Sequence, residues 1–417
     1  MAVETTALQE PIPPAPPEGP PSAKLPPGEW VRRNLFSSVA NGVVTVVMGV
    51  VIAWAAYRAV RWVFVTAEWE IVRRNLTSFM IGSFPRDQLW RPWASLFVVA
   101  ATIGAASGMA AAEVGDRPRA RAPWWTAARR FWPIGALLVA IALLVETVVP
   151  VLLLAAALAV AAAARLAGRR LPRPIAGRAW LIVVVGLVLA VGVLVAFGGV
   201  GWDRWGGLQL NLAVTVVGIA LAFPFGVLLA LGRRSSLPAV RAVCVVYIEF
   251  IRGVPLVTLL FMGQLFIGFF LPTQIDPPGL VVRALISIVL FEAAYIAEIV
   301  RGGLQAVGRG QVEAAQALGL RPATTTRRIV LPQALRAVIP AMVGQFISLF
   351  KDTSLLEVIQ LREILTVGET ATQQPDFRGR GLAAVTLPFV AFVFWVGSYT
   401  MSRESRRLEQ RLGIGER

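Results

Sequence analysis

Glu313-Ala314-Ala315-Gln316-Ala317-Leu318-Gly319, followed by Ile329-Val330-Leu331-Pro332, is the stretch that decides the fold of this chain. It is a polar loop between hydrophobic spans. Ala and Gln are good helix formers, so a short helix is predicted from about Gln311 to Leu318. Gly319 supplies the left-handed residue that ends this helix. Pro322 suits the first turn of a second helix, and Pro332 then ends or kinks that helix before the next span.

The composition of the chain places it in a membrane. Of its 417 residues 56% are hydrophobic and only 15% are charged, and the mean hydropathy is +0.68. A water-soluble fold with so few charged residues cannot cover that apolar surface. We therefore predict an all-α polytopic integral membrane protein, in which each crossing helix needs roughly 20 apolar residues.

The charged residues and the cysteine count exclude several classes of function. The formal net charge is +16, and nearly all of the positive charge is arginine, since Lys24 and Lys351 are the only lysines. Basic membrane proteins usually carry such charge in cytoplasmic loops, and no basic soluble domain that would bind nucleic acid is visible. One cysteine, Cys244, and no histidine exclude an intrachain disulfide, a His/Cys zinc site and a histidine-based triad. Carboxylate-based chemistry is not excluded by these counts.

Ten apolar segments are candidate membrane spans, at 37–63, 93–112, 133–149, 150–166, 180–198, 207–231, 242–271, 280–301, 334–358 and 383–402. The continuous run 133–166, about 34 residues, would be about 51 Å long as one helix. That length exceeds a hydrocarbon core of roughly 30 Å. Because Pro150 lies in its middle and arginines flank both ends, we expect a hairpin that either crosses twice or is re-entrant. The expected total is therefore about eight to ten helices.

Arginine positions orient the chain and divide it. Arginines precede the first span, follow the last one and populate the loop around Glu313, so these parts are predicted to be cytoplasmic. We expect residues 1–30 to form a Pro-rich disordered tail, 31–204 an accessory transmembrane region, 205–404 a five-helix core, and 405–417 a cytoplasmic tail. The core contains the cytoplasmic loop, at about 302–333. The segment 64–92 would be external despite its arginines.

Five phrases in the second half carry a resemblance to a known family. They are Asn211-Leu212-Ala213-Val214-Thr215-Val216, Tyr247 to Leu256 (YIEFIRGVPL), Ala294 to Gly303 (AYIAEIVRGG), Gly310-Gln311 with the Glu-Ala-Ala loop, and Lys351-Asp352-Thr353-Ser354-Leu355. In this order they resemble permease subunits of polar amino-acid ABC importers over roughly residues 205–403, and more closely the general L-amino-acid branch. Phe79 to Pro85 and Leu89 to Pro92 weakly resemble one of the two permeases of general amino-acid systems.

The resemblance implies a fold, a function and partners. It implies the type I importer fold and the import of L-amino acids by alternating access in a bacterial inner membrane. The chain has no Gly-rich loop followed by Lys and Ser/Thr, which is the phosphate-binding signature. This chain is therefore expected to be no enzyme and to bind no cofactor, while a cytoplasmic ATPase subunit uses ATP and Mg. A periplasmic amino-acid-binding protein and a second permease, identical or related, complete the expected partners.

Within the loop, the resemblance assigns contact with the ATPase to Gly310, Glu313, Ala314, Ala315, Gly319, Ile329, Leu331 and Pro332. Glu313 sits early in the short helix, where a carboxylate favours the positive end of the helix dipole. The two alanines keep the helix slim enough for a partner's groove. Leu318 and Leu320 are expected to be exposed without a partner, which is typical of an interface. The alternative is a cytoplasmic helix that packs only on its own protein.

Charged and polar residues within the core spans are candidates for the substrate pathway or a gate: Glu249, Arg252, Glu292, Glu298, Lys351, Thr353 and Ser354. Glu292 lies about three turns from the inner end of its span, where a carboxylate is costly and therefore a functional candidate. It would meet a substrate ammonium or pair with Arg283 or Lys351. No metal site is expected.

The remaining candidates have structural alternatives. Glu298 and Arg301 are three residues apart and can pair on one helix face, with or without a gating role. Glu249 and Arg252 have the same spacing, and Pro255 breaks their helix so that backbone groups would face a cavity. The run from Lys351 to Ser354 is either part of a gate or a set of membrane-interface residues.

Two other functions remain open for a polytopic chain. An ion-driven secondary transporter or channel would need paired carboxylates for ion coupling, and the Glu-Ala-Ala loop argues against it. A membrane enzyme such as a lipid transferase would need an interfacial cluster of Asp, Glu or His. The external loops 199–206 and 272–279 offer only Asp203 and Asp276 for such a cluster.

Overall fold

The computed structural model describes residues 26–113, 124–145, 147–171, 179–195, 199–272 and 274–412. In these ranges the chain is almost entirely helical and forms no β-strand. A single parallel bridge, between Gly207 and Glu363, is the only extended pairing there. The predicted all-α class is confirmed.

The described residues before Glu68 belong to one compact unit. Helix α1 (Pro27–Leu35) precedes α2 (Val39–Arg61), and the Ser38 hydroxyl caps α2 by accepting a hydrogen bond from the Asn41 N–H at 3.2 Å. A π-helical turn extends α2 to Thr66, and this 28-residue apolar segment is long enough to cross a membrane. The predicted tail, 1–30, lies mostly outside the described residues, and its last four residues belong to α1.

The second unit begins at Glu68 and starts with the accessory helices. These are α3 (Glu70–Ile81), α4 (Trp90–Glu113), α5 (Trp124–Leu144), α6 (Val149–Arg169) and α7 (Ala179–Val195). Small residues bring α4 and α6 into backbone contact, since a Cβ on Gly168 would lie 2.5 Å from the Ala105 carbonyl oxygen. Close backbone approach of this kind is how membrane helices associate without a hydrophobic driving force.

The remaining helices of the second unit form the core. They are α8 (Gly207–Arg233), α9 (Pro238–Gly253), α10 (Leu256–Phe266), α11 (Leu280–Ala306), α12 (Arg309–Ala317), α13 (Pro322–Thr325), α14 (Leu331–Ala337), α15 (Ile339–Asp352), α16 (Ile364–Thr372) and α17 (Ala383–Leu412). Helices α8 and α11 pack closely along their length, because Gly226 leaves room for Ile296. One buried apolar cluster surrounds Leu210 and Ile288, and a second surrounds Ala230 and Ala297.

The apolar segments of the described chain match the predicted spans one for one. Six helices are long and apolar enough to cross a membrane, or eight if each of two bent pairs is one span. Two shorter apolar helices, Trp132–Leu144 and Leu181–Val195, account for the other two segments. The run 133–166 forms two helices, α5 and α6, as the hairpin prediction requires.

Two predicted spans are bent and do not form single straight helices. The segment 242–271 bends by 106° between α9 and α10, and 334–358 bends by 61° between α14 and α15. Pro255 lies at the first bend, as predicted, because a proline ring cannot continue the helix before it. Pro340 lies in the first turn of α15, just after the second bend. The last helix, α17, continues ten residues beyond the predicted end of its span at 402, to Leu412.

Candidate coupling and translocation sites

The Glu-Ala-Ala loop folds into a helical hairpin in which α12 is the first arm. The helix ends with two hydrogen bonds, from the Gly319 N–H to the Gln316 carbonyl at 2.9 Å and from the Leu320 N–H to the Ala315 carbonyl at 3.0 Å. This pair of bonds is a Schellman motif, and it needs a left-handed residue between helix and loop. Gly319 supplies that residue with φ +71°. The predicted stop is confirmed, and the helix itself spans Arg309–Ala317 rather than 311–318.

The second arm of the hairpin runs from α13 to α14. Pro322 starts it at the first turn, as predicted. Pro332 does not end it, because residues 326–330 form a π-helical turn and Pro332 then occupies the first turn of α14. There the missing N–H of the proline leaves no helical bond unmade. The arm docks on the C-terminal end of α11, where Gly303 allows the Ala334 carbonyl to approach.

The hairpin, Arg309–Ala337, exposes one side and buries the other. Leu318 is 79% exposed, whereas Leu320, which was expected to be exposed too, is half-buried. Ala315 is buried, so its own chain already covers it. The other loop candidates divide into an exposed set (Gly310, Glu313, Ala314, Gly319 and Pro332) and a half-buried pair (Ile329 and Leu331).

Next to the hairpin, five charged side chains from α8, α9 and α11 form one network. Glu298 accepts hydrogen bonds from Arg301 at 3.0 Å, which confirms the predicted pairing. Glu298 also lies 3.5 Å from Arg233 and 3.7 Å from Arg252. Glu249 pairs at 2.9 Å with Arg233, so its ion pair is with α8 and not with the nearby Arg252. The network therefore joins three helices at the end where the hairpin begins.

Glu292 lies deeper in α11 and is almost fully buried. Its Oε2 accepts a hydrogen bond from the Gln345 side-chain amide of α15 at 3.0 Å. It does not pair with Arg283, whose guanidinium donates to the Pro278 and Gln264 carbonyls, and Lys351 is exposed. The Oε1 atom of Glu292 has no hydrogen-bond partner among the described residues. A buried carboxylate oxygen without a donor is costly, so this atom is the best candidate for contact with a ligand.

At the other end of the core, buried polar groups tie α8 to α16. The Asn211 side-chain amide donates to Thr353 and to Glu363, both at 3.0 Å, and its carbonyl oxygen accepts from the Ile364 N–H. Burial raises the pKa of Glu363, while hydrogen bonds from Asn211 and Thr366 oppose that rise. Thr353 is thus fully buried in this cluster, and Ser354 beside it is half-buried. Sequence reasoning missed Glu363, because nothing local marks it as a partner of Asn211.

Comparisons with known proteins agree with this architecture. A family model described as binding-protein-dependent transport system inner membrane component matches residues 222–413. The inner membrane amino-acid ABC transporter permease protein YhdY of Escherichia coli K12 is 34% identical over 409 residues, which is 93% of this chain and 93% of the relative. The chain belongs to the amino-acid ABC transporter permeases. It is thus a multi-span membrane protein of the class that the motifs predicted, and the predicted family is confirmed.

Two further relatives show how the permease divides. The glutamate/glutamine/aspartate/asparagine transport system permease protein BztC of Rhodobacter capsulatus is 34% identical over 417 residues, covering 92% of this chain and 93% of the relative. The probable glutamine ABC transporter permease protein GlnP of Bacillus subtilis is 35% identical over 207 residues, covering only 50% of this permease but 92% of the relative. The family model lies in the second half of the permease and leaves the accessory region outside its match.

Proposed function

We propose that this permease imports L-amino acids, over a polar and broad range, by alternating access driven by a separate ATPase subunit. The observation that carries the proposal is the helical hairpin Arg309–Ala337, which presents an exposed apolar side chain, Leu318, next to a rigid Schellman turn. The exposed tip of a hairpin between two membrane helices can be reached by a protein outside the membrane, and a permease of the ABC transporter class works with a separate ATPase. The ATPase is that partner, and ATP and Mg are bound there rather than by this chain.

The other partners follow from the same arrangement. A soluble amino-acid-binding protein delivers substrate at the end of the core opposite the hairpin, and a second permease, identical or related, closes the pathway. The hairpin end is cytoplasmic because arginines concentrate there, at positions 301, 309, 321, 327 and 328. By the same rule, both termini lie in the cytoplasm. Similarity to an inner membrane permease supports a location in a bacterial inner membrane.

The charged network and Glu292 have separate roles in this mechanism. The ion pairs of Glu298 with Arg233, Arg252 and Arg301 join α8, α9 and α11 beside the hairpin, so a movement of the hairpin reaches three helices at once. These pairs form the inner gate, together with Glu249. Glu292 lies further from the hairpin, and its unpartnered oxygen receives the substrate's α-ammonium group. Lys351 and Ser354 line the outer part of the route, and Thr353 supports it from within the buried cluster.

Co-purification and uptake together test the proposal. The permease is expected to co-purify with an ATPase and to take up radiolabelled amino acids into proteoliposomes only when the ATPase, ATP and an amino-acid-binding protein are all present. A panel of amino acids then defines the range. Uptake that needs an ion gradient but no ATPase or nucleotide would overturn the proposal in favour of an ion-coupled transporter.

A further inference from the structure

The short helix α3 lies at the end of the core opposite the hairpin. Helix α8 connects the two ends, because Gly207 at its start lies against the last turn of α3, while Arg233 at its end pairs with Glu298 beside the hairpin. The helix has 27 residues, so the two ends are about 40 Å apart. A soluble protein that approaches from the side away from the ATPase therefore meets α3.

Helix α3 is built into the core through its apolar face. Ile71, Val72 and Phe79 are completely buried, and the Phe79 ring packs edge-on against Phe389 of α17 at 5.1 Å. Behind α3 the backbone of Gly82 approaches that of Gly206 so closely that a Cβ on Gly82 would lie 2.5 Å from the Gly206 Cα. Contacts this tight hold α3 in one position relative to α8.

The polar side of α3 is tied to the loop between α16 and α17. Arg74 pairs with Asp376 at 3.1 Å, and Arg380 pairs with Glu68. Asn75 and Gln374 exchange two side-chain hydrogen bonds, at 3.1 and 2.7 Å. The segment Glu68–Leu89 and the loop Gln373–Gly381 therefore form one continuous surface, here called the outer collar.

The outer collar faces water rather than lipid. The exposed large apolar side chains nearest in sequence to the segment Glu68–Leu89 are Val65 and Trp90, and none is exposed between Glu68 and Leu89 or between Gln373 and Gly381. Apart from Pro375, Gly379 and Gly381, the exposed positions of this surface are polar or charged, for example Arg73 and Thr77. A polar surface that is held rigidly at this end suits contact with a soluble protein, because the rim of a protein–protein interface is normally polar.

We propose that the outer collar is a docking surface for the substrate-binding protein. The proposal rests on the proposed function, which requires a binding protein at this end of the core. It goes further by assigning part of the contact to an accessory segment that lies outside the matched family model. Binding-protein recognition in permeases that carry α3 then differs from recognition in permeases without it, because α3 covers part of the core surface.

Site-specific photocrosslinking tests the docking surface, since Cys244 is the only native cysteine. In a Cys244→Ala background, Thr77→Cys on the exposed side of α3 carries a benzophenone maleimide. The complex with its ATPase is reconstituted with the purified amino-acid-binding protein that stimulates its ATP hydrolysis. We expect the Thr77→Cys variant to capture that binding protein, and a matched Val243→Cys variant, on an exposed apolar position of α9, to capture nothing soluble.

A third position separates this inference from the proposed function. Ala317→Cys in the hairpin should capture the ATPase. If Ala317→Cys captures the ATPase while Thr77→Cys captures no binding protein, the docking surface is refuted and the proposed function stands. If neither variant captures its partner, the proposed function fails as well.

A charge variant supplies an independent readout. Thr77→Arg should raise the binding-protein concentration for half-maximal ATPase stimulation about tenfold, as expected for a disrupted central contact. Basal ATP hydrolysis should be unchanged, because Thr77 faces away from the core. A stimulation curve identical to that of the unmodified complex would overturn the proposal.

Discussion

In the proposed mechanism coupling depends most directly on Gly319, because its φ of +71° is unfavourable for any residue with a Cβ. Gly319→Val should strain the Schellman turn by ~1–2 kcal/mol and displace the tip of the hairpin. We expect ATP hydrolysis to continue while uptake falls about tenfold, measured as amino acid transported per ATP hydrolysed. Gly308→Val is the control, because Gly308 has φ −59° in open space. An unchanged transport ratio in Gly319→Val would count against the coupling role.

Glu292 offers a second test at the scale of one residue. Glu292→Gln keeps the shape and the hydrogen-bonding partner Gln345 but removes the negative charge. A hydrogen bond to a charged group is worth ~1.5–3 kcal/mol, so the substrate KM should rise at least tenfold. ATPase binding should be unaffected, and Asp276→Asn, which alters an exposed carboxylate, should leave KM unchanged. A KM that stays constant in Glu292→Gln would remove Glu292 from the pathway.

At the scale of elements, the adjacent glycines Gly302 and Gly303 offer a matched pair for testing how the hairpin is held on α11. Only Gly303 lies in close contact with the second arm. A Cβ on Gly303 would lie 2.6 Å from the Ala334 carbonyl oxygen, whereas a Cβ on Gly302 would meet nothing within 4 Å. Gly303→Ala should push α14 away from α11 and destabilise the hairpin by ~1–3 kcal/mol. Weaker ATPase binding, with a lower melting temperature in detergent, is the expected result. Gly302→Ala should behave like the unmodified permease, and equal effects of both substitutions would show that this contact does not hold the hairpin.

At the scale of the whole molecule, the permease consists of two compact units with a boundary between Ala67 and Glu68. Removing residues 1–66 should leave a chain that still binds the ATPase, because the second unit contains its own buried clusters. Removing residues 1–89 should be far more damaging, since it also deletes Phe79 and Phe84 from the buried interior. Size-exclusion profiles and melting temperatures of the two truncated permeases provide the measurement. Equal stability of both would show that α3 is not an integral part of the second unit.

Long-range pairing set the limit of prediction from sequence in this permease. The run of apolar residues located the helices, but it did not show that 242–271 bends by 106°. The motif around Asn211 was recognised without its partner, since Glu363 lies 152 residues further along the chain. Glu292 was flagged as unusual from its position in a span, yet its contact with Gln345, 53 residues away, was not foreseen. In each case the missing information was how helices pack against each other.

The sequence by itself determined the membrane class, the family, the helix stop at Gly319 and the break at Pro255. These features depend on the length of an apolar run, on a backbone angle or on a missing N–H, all of which act within a few residues. Only the tertiary structure decided that Glu249 pairs with Arg233 and that α3 belongs to the core. Such contacts depend on the packing of several helices at once. Each charged or apolar side chain has several possible partners, and the residues near it in sequence do not favour one of them over the others.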